Sequence, residues 1–296
     1  GNHRIFRSRV AVKYYCYGDD SHEEVTLIKN LDHRNVLHVW DAHTVGNGWA
    51  FFITDEMTNG TLDSYMSANS LSTENAMNVV RGLLSGVGKM HEAPNYLLHI
   101  DLKPANILID SIVNPVIADF GSIKRLPQSE KKVKASKHSP LYRPPESFDD
   151  GYYMIPSDIY QLGLTMYQVL GGNLPYDLCE YMNGSQLKVY MNINDDCDKS
   201  KYVDNILHNN AAKGKLITIP SLPYYTDHKL IHIIKKATHP DPDKRYQNAA
   251  DFLLDLHRVG SIPNWTRQSG DVAVCEYKSS YFRIINTKKG FTSLEF

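Results

Sequence analysis

The sequence predicts an α+β fold in which a small strand-rich N-terminal part precedes a large helical part and a short strand-rich tail. Three observations predict this order. Short apolar segments that suit strands lie within about residues 1–57, apolar residues recur at helical spacing between about 58 and 259, and strand-like segments return over 260–296. We therefore predict one domain over residues 1–259 and a hairpin-like extension after it.

The N-terminal part is predicted to contain three strands and one helix. Residues 10–15, 35–40 and 49–54 are strand-like, and a Gly-Asn-Gly turn separates the last two. Ser21 and Glu24 have the spacing of a capping box, which predicts that a helix begins there.

The larger part is predicted to be mainly helical. Apolar residues recur every three or four positions in residues 72–92, 155–170, 229–238 and 248–259. Short strands are predicted at 107–109 and 116–118, and tail strands at 272–277, 281–285 and 291–296. The region 190–215 is rich in Asn, Asp and Lys, and we predict an insertion with marginal helix there.

Composition excludes several classes of protein. The formal net charge is −1, so no global attraction to nucleic acid or to an anionic membrane is expected. No apolar stretch approaches the roughly 20 residues of a membrane span, and the first residues do not have a signal-peptide pattern. The four cysteines are far apart, which predicts reduced thiols and no metal site built on them. These features together predict a cytoplasmic protein.

The most informative segment is His99-Ile-Asp-Leu-Lys-Pro-Ala-Asn106, which is followed by Asp119-Phe-Gly121. It places an Asp, a Lys and an Asn in one short loop, and a second Asp after one hairpin. Phosphoryl transfer from ATP requires such a set, because a carboxylate orients the attacking hydroxyl, cations neutralise the phosphates, and oxygen ligands hold magnesium.

This pair of motifs resembles the catalytic and magnesium loops of eukaryotic-type Ser/Thr protein kinases. The resemblance implies a two-lobed fold with an N-lobe over about residues 1–57, a C-lobe over about 58–259, and ATP with Mg²⁺ between them. It implies that Asp101 orients the substrate hydroxyl or acts as catalytic base and that Lys103 neutralises the γ-phosphate. It further implies that Asn106 and Asp119 bind magnesium.

Two further residues complete the predicted phosphate site. Lys13 lies in Val10-Ala-Val-Lys13, which is similar to the kinase strand whose lysine holds the α- and β-phosphates. The resemblance makes Glu24 its ion-pair partner. An ordinary strand lysine and a capping glutamate are the alternative interpretations.

The adenine pocket is predicted from the chain between the lobes. Aligning Asn59-Gly-Thr-Leu62 with the segment after the kinase hinge places Thr54 at the gatekeeper position and Asp55, Glu56 and Met57 against adenine. An alignment shifted by one residue is the alternative.

Elements downstream of the loops also resemble the kinase family. Ser139 takes the place of a threonine that bonds the catalytic Asp and Lys. Asp158 takes the place of an Asp that braces the catalytic loop, and Arg245 that of an Arg that pairs with Glu146. The order of all these motifs matches the family over about residues 10–258.

Two departures from the family limit the prediction. The glycine-rich phosphate loop is not seen before Lys13, so we expect either a start inside the N-lobe or a weakened phosphate lid, and an exposed sheet edge that residues 272–296 would cover. Ile100 stands where the family has the Arg that receives an activating phosphate, so we expect activity independent of that Arg.

The predicted function is a Ser/Thr protein kinase that acts on a protein substrate with ATP and Mg²⁺. A catalytically silent kinase-fold scaffold is the alternative that the missing glycine loop favours. A small-molecule phosphotransferase of related fold is a third reading, which the Pro-Pro-Glu146 segment, Asp158 and Arg245 make the least favoured.

Overall fold

A computed structural model describes residues 9–16, 27–28, 31–46, 48–110, 112–134, 139–149, 151–268, 272–278, 280–287 and 290–295. The helix predicted from Ser21, with Glu24, lies outside these residues, as does the segment before residue 9. Its predicted continuation reaches Ile28, which is described and is 2% exposed in the main core.

The N-terminal part contains an antiparallel three-stranded sheet in the order β1-β3-β2. Its strands are β1 Val10–Cys16, β2 Val39–Gly46 and β3 Trp49–Asp55. Strands β1 and β3 confirm the predictions. The prediction of a strand over 35–40 was wrong, because β2 begins only at Val39. Asn35 is buried with its side-chain amide bonded to the carbonyl of Pro115, and Val36 bridges Ile117, so this segment joins the helical part before the strand begins.

The C-terminal part is mainly helical. The described helices are α1 Leu62–Ala68, α2 Thr73–His91, α3 Pro145–Asp149, α4 Ile155–Val169, α5 Gly184–Met191, α6 Asp196–Ala212, α7 His228–Ala237 and α8 Ala249–Arg258. The four predicted helices are confirmed to within two residues. Helix α4 is buried around almost its whole circumference and contacts α2 and α7, while α8 packs on α2. The core is centred on these helices.

Helix α6 corrects the prediction of an insertion with marginal helix over 190–215. Asp195 caps it by accepting a hydrogen bond from the amide of Asp198. Val203, Leu207 and Ala211 are buried along one face at four-residue spacing. The polar residues between them occupy the solvent face, and their number concealed the narrow apolar stripe.

Three short antiparallel strand pairs position the loops between the helices. They are β4 Leu97–Leu98 with β7 Lys124–Arg125, β5 Ile107–Ile109 with β6 Pro115–Ile117, and β8 Val133–Lys134 with β9 Tyr152–Tyr153. The β5–β6 pair confirms the predicted hairpin and brings the two sequence motifs together.

The tail forms a four-stranded antiparallel sheet from β10 Asn264–Arg267, β11 Val272–Tyr277, β12 Ser280–Thr287 and β13 Gly290–Glu295. The last three confirm the predicted strands, and β10 was not predicted. Thr73 donates its hydroxyl to the carbonyl of Trp265 at 3.3 Å, and the Glu74 amide donates to Asn264 at 2.9 Å. Tyr224 donates to the carbonyl of Ile284.

The predicted position of the tail over the N-terminal sheet was therefore wrong. Among the described residues, the hydrogen bonds and ring contact that attach it are with the beginning of α2 and with the 224–225 loop. Helix α2 then runs 19 residues, about 27 Å, before it reaches the catalytic-loop region. Among the described residues, no helix combines the length and apolar character needed to cross a membrane.

Candidate active site

The loop after β4 gathers the charged residues that the sequence singled out. One carboxylate oxygen of Asp101 accepts hydrogen bonds from Lys103 Nζ and Asn106 Nδ2, both at 2.8 Å. The other oxygen accepts from the Ser139 amide at 3.1 Å. Lys103 also donates to the Ser139 hydroxyl. The predicted residues of this loop are thus in direct contact with one another.

The ionisation of Asp101 is set by this environment. Burial alone would raise the pKa of the carboxyl group, but the hydrogen bond and charge of Lys103 act in the opposite direction, as do the Ser139 amide and Asn106. The pKa of Asp101 is consequently lowered below its ordinary value. Asp101 is a carboxylate at neutral pH and can accept a hydrogen bond from a hydroxyl group.

Asp158 holds the backbone that carries this loop. Its fully buried carboxylate accepts hydrogen bonds from the amides of His99 at 2.8 Å and Ile100 at 2.9 Å. It is also 2.9 Å from Nε2 of His91 at the end of α2. Helix α4 therefore fixes the start of the loop that carries Asp101.

Gln161, one turn further along α4, completes this support. Its side chain accepts from the amide of Leu102 at 2.9 Å and donates to the carbonyl of Ile100 at 2.7 Å. Ile100 has a φ of +72°, which is costly for a β-branched residue. The hydrogen bonds from both sides of Ile100 offset that cost.

Asp119 lies at the other side of the site with Lys13. Lys13 Nζ is 2.6 Å from a carboxylate oxygen of Asp119, and both side chains are about half exposed, at 47% and 49%. Phe120 is buried, with its ring centroid 5.9 Å from that of His99. Glu24 is outside the described residues, so the predicted Lys13–Glu24 pair stays a prediction.

Asn106 and Asp119 form a donor set that suits magnesium. The amide of Ala118, the residue before Asp119, donates to the carbonyl of Asn106 at 3.0 Å. The amide nitrogen of the Asn106 side chain is bonded to Asp101, which directs the side-chain oxygen away from that contact. Hard carboxylate and carboxamide oxygens are ligands that Mg²⁺ accepts, so these residues fit the ion.

The strand register places the predicted gatekeeper on the same face as Lys13. Ala11 lies opposite Thr54, and Lys13 lies opposite Phe52. Directly opposed residues of an antiparallel pair project to the same face of the sheet, as do alternate residues of one strand. Thr54 is 4% exposed, and its hydroxyl has no hydrogen-bond partner among the described residues.

The predicted hinge residues follow directly from β3. Asp55, Glu56 and Met57 are partly exposed. Asp55 accepts a hydrogen bond from the indole of Trp40 at 3.0 Å, and Glu56 pairs with Arg9 at 2.9 Å. The segment is held from both neighbouring strands.

A buried ion pair supports the segment after Ser139. Arg245 donates to both carboxylate oxygens of Glu146, at 2.8 and 2.7 Å, and the Ser157 hydroxyl donates to the same carboxylate at 2.7 Å. Arg245 also bonds the carbonyl of Pro156. The predicted pairing of Glu146 with Arg245 is therefore present.

Ile100 is the centre of a second, smaller hydrophobic cluster. It is fully buried and packs with Leu98, Leu126, Val133 and Tyr153. Leu126 and Val133 belong to the segment between the Asp119 motif and Ser139, which the β4–β7 and β8–β9 pairs also hold. Apolar side chains therefore surround residue 100, the position at which the family that this sequence resembles has an Arg.

Sequence reasoning did not find the supporting residues Gln161 and His91. Gln161 bonds the backbone of Ile100 and Leu102, and His91 bonds Asp158, so each contact joins residues about 60 positions apart. A motif of locally spaced residues does not encode such contacts. The available signal was a glutamine three residues after Asp158 in a mainly apolar segment at helical spacing.

The profile of the protein kinase domain matches residues 6–254. A Ser/Thr-protein kinase, PrkC, of Bacillus subtilis is 28% identical over 266 residues, covering 85% of this chain and 36% of that protein. A probable Ser/Thr-protein kinase, MARK-C, of Dictyostelium discoideum is 34% identical over 158 residues, covering 52% of this chain and 20% of that protein.

A probable L-type lectin-domain containing receptor kinase, S.5, of Arabidopsis thaliana is 30% identical over 182 residues, covering 56% of this chain and 27% of that protein. The chain therefore matches little more than a third, or less, of the length of these relatives. What they share with it is the catalytic-domain region.

Proposed function

The chain belongs to the protein kinase domain family, and from that premise we propose that it is a Ser/Thr protein kinase that transfers the γ-phosphate of ATP to hydroxyl groups of proteins. The observation that carries the proposal is the contact of Asp101 with Lys103, Asn106 and Ser139. A scaffold protein has no chemical need for this arrangement.

Asp101 orients the acceptor hydroxyl in the proposed reaction. Its lowered pKa keeps it ionised, and its hydrogen bonds fix the direction of the carboxylate. A carboxylate in this role positions the oxygen for attack and accepts its proton as the new P–O bond forms and the bond to the ADP oxygen breaks.

Two lysines supply positive charge to the phosphates. Lys103 is held at the acceptor side by Asp101 and Ser139, whereas Lys13 is held at the nucleotide side by Asp119. The exposure of Lys13 leaves it free to exchange Asp119 for a phosphate oxygen. Positioning and neutralisation of charge account for most of the catalysis in this class of reaction.

Asn106 and Asp119 are proposed to hold magnesium, and Lys13 with the chain from Thr54 to Met57 is proposed to hold ATP. The ion, when bound, supplies charge neutralisation at the β- and γ-phosphates. The face shared by Ala11, Lys13 and Thr54 supports this placement of the nucleotide over the alternative alignment shifted by one residue.

We further propose that activity does not require a phosphate in the segment after Asp119. Its order is supported by the Ile100 cluster and by two strand pairs, none of which uses a phosphate. This differs from kinases that order the same segment by pairing an Arg with a phosphorylated side chain.

The proposal is tested by measuring transfer of labelled γ-phosphate from Mg-ATP to a generic protein acceptor and to the chain itself. Replacing Asp101 with Asn should lower the rate of phosphate transfer about 10²- to 10⁴-fold while the protein stays folded. The reason is that the substrate hydroxyl loses the carboxylate that accepts its proton. Asp243→Asn is the matched control, since Asp243 is exposed on the 242–244 turn, and it should retain the parent rate.

Equal transfer by the parent and by Asp101→Asn would reject the assigned role. Binding of ATP without transfer by a folded parent would instead support the scaffold alternative. Transfer to small-molecule acceptors but not to proteins would support the third reading.

A further inference from the structure

A pocket on another part of the molecule brings two arginine side chains together. It has a volume of about 470 Å³ and lies between the 34–35 turn, α2, the 112–115 turn and α8. This is within the usual range for sites that bind small ligands or side chains. Its lining residues include Arg34, Arg81 and His257, and none of them is Asp or Glu.

Neither arginine is neutralised in the part of the chain that the structure describes. Arg34 donates to the amide oxygen of Asn114 at 3.1 Å, and Arg81 donates to that of Asn78 at 2.8 Å. These partners are uncharged, and Nε of Arg81 is buried without a hydrogen-bond partner among the described residues. Two guanidinium groups beside one pocket favour an anionic ligand with several oxygens.

A serine hydroxyl adds a neutral donor to the same pocket. The amide of Asn35 donates to Nδ1 of His33 at 3.1 Å, so the ring proton is on Nε2 and is donated to the Ser85 hydroxyl oxygen. The Ser85 hydrogen is then available to a ligand, because Ser85 acts as acceptor towards His33.

The local electrostatic potential agrees with this assignment. The pKa of His33 is lowered, first by partial burial and then by the positive charges of Lys89 and Arg34, against an opposing effect of Asp32. Burial disfavours a charge of either sign on His33, whereas the nearby positive charges of Lys89 and Arg34 favour an anion beside Ser85.

We propose that this pocket binds the phosphate group of a phosphorylated peptide segment. Arg34, Arg81 and Ser85 would donate to the phosphate oxygens, as Arg clusters do in other phosphate-recognition sites. Ile112 is 73% exposed at the rim beside Val113 and Leu253, which offers an apolar surface to a neighbouring side chain of the peptide. A localised pocket with one apolar rim suits a peptide better than a planar lipid surface.

The site is separate from the acceptor site described above. Pro115, at the start of β6, forms one wall of the pocket, whereas Asp119 follows the end of that strand. None of the lining residues belongs to the proposed catalytic site, so binding in this pocket does not depend on catalytic activity.

The test is calorimetric titration with two peptides, acetyl-Leu-Ala-Ser-Ala-Leu-amide and the same peptide phosphorylated on Ser. The Lys13→Gln protein is used as background, to remove the predicted phosphate contact in the catalytic cleft. The phosphorylated peptide should bind at least about tenfold more tightly, and inorganic phosphate should compete with it.

Arg34→Gln and Arg81→Gln, each in that background, should weaken binding of the phosphorylated peptide about tenfold or more. Arg34 is exposed, so its replacement tests the site even if Arg81→Gln does not fold. Arg267→Gln removes the same charge from an exposed residue at the end of β10 and should bind as the background protein does.

Equal affinity for the two peptides would overturn the proposal, as would unchanged binding by folded Arg34→Gln protein. Vesicles containing phosphatidic acid serve as a second probe. Retention by these vesicles without peptide binding, or binding of inorganic phosphate alone, would show that the pocket does not take a phosphopeptide.

Discussion

Two ion pairs in this molecule each join a basic side chain to a carboxylate but have opposite surroundings. Arg245 and Glu146 have side chains 0% and 8% exposed and are bonded on all sides, whereas Lys13 and Asp119 are 47% and 49% exposed. The first pair cannot exchange its partners without unfolding its surroundings. The second is exposed enough to exchange its partner for a ligand, and this difference separates a structural ion pair from the proposed phosphate site.

The largest effect is expected from breaking the buried pair. Arg245→Met should lower the free energy of unfolding by about 3–5 kcal/mol, because Glu146 would stay buried without its cation. Urea unfolding measures this change. Arg258→Met is the matched control, since Arg258 is 67% exposed, and should have little effect. A loss below about 1 kcal/mol for Arg245→Met would contradict the assigned role.

The apolar cluster around Ile100 supports the fold by a second means, which uses no charge. Ile100→Ala should lower the free energy of unfolding by about 2–4 kcal/mol through lost burial and a cavity. Ile112→Ala, at a residue 73% exposed, should change it far less.

If this cluster orders the segment after Asp119, the proposed kinase activity should not depend on phosphorylation of that segment. Treatment of the parent protein with phosphatase should leave its phosphotransfer rate unchanged. A rate that falls on treatment would show that the cluster does not replace a phosphate in ordering the segment.

Replacing Lys13 should separate stability from activity. Lys13→Gln removes an exposed ion pair, so the free energy of unfolding should change by less than about 1 kcal/mol. Lys201→Gln, which removes another exposed ion pair, is the control and should have a similarly small effect on stability. Phosphotransfer activity should be lost in Lys13→Gln and retained in Lys201→Gln. A large loss of stability in Lys13→Gln would remove the distinction between the two ion pairs.

The smallest effect is expected from acidification. Because the pKa of Asp101 is lower in the folded state, its ionisation stabilises the fold above its ordinary pKa, 3.8, and this contribution is lost as pH falls through the lower folded value. The free energy of unfolding should be measured for the parent and for Asp101→Asn between neutral pH and about pH 3. The difference between the two free energies should become smaller only at the acidic end of this range. A difference that already narrows near neutral pH would contradict a lowered pKa.

The sequence predicted the fold class and the catalytic cluster because both are encoded locally. Asp101, Lys103 and Asn106 lie within six residues, and the β5–β6 hairpin brings Asp119 to them with no distant contact. The support from Gln161 and the apolar surroundings of Ile100 depend on pairs about 30 to 60 residues apart. Such pairs leave no periodic signal in one sequence.

The remaining errors have similar causes. Asn35 and Val36 have strand-like neighbours, but their hydrogen bonds are to the 115–117 strand, so β2 begins later than the pattern indicates. The position of the tail depends on Asn264 and Trp265, which meet α2 about 190 residues away in sequence. Alternation within the tail predicts its strands but not the surface on which they pack.

The hydrogen bond from Trp40 to Asp55 gives the protein an intrinsic optical label at the proposed hinge. The chain has three tryptophans, and Trp265 is stacked on Tyr225 at the tail, with ring centroids 5.6 Å apart. Trp40 is 54% exposed beside the segment proposed to meet adenine. Its emission would therefore respond to nucleotide at the hinge, while that of Trp265 would respond to the attachment of the tail. Trp49 emits with them, so a protein that keeps a single tryptophan would report on one region at a time.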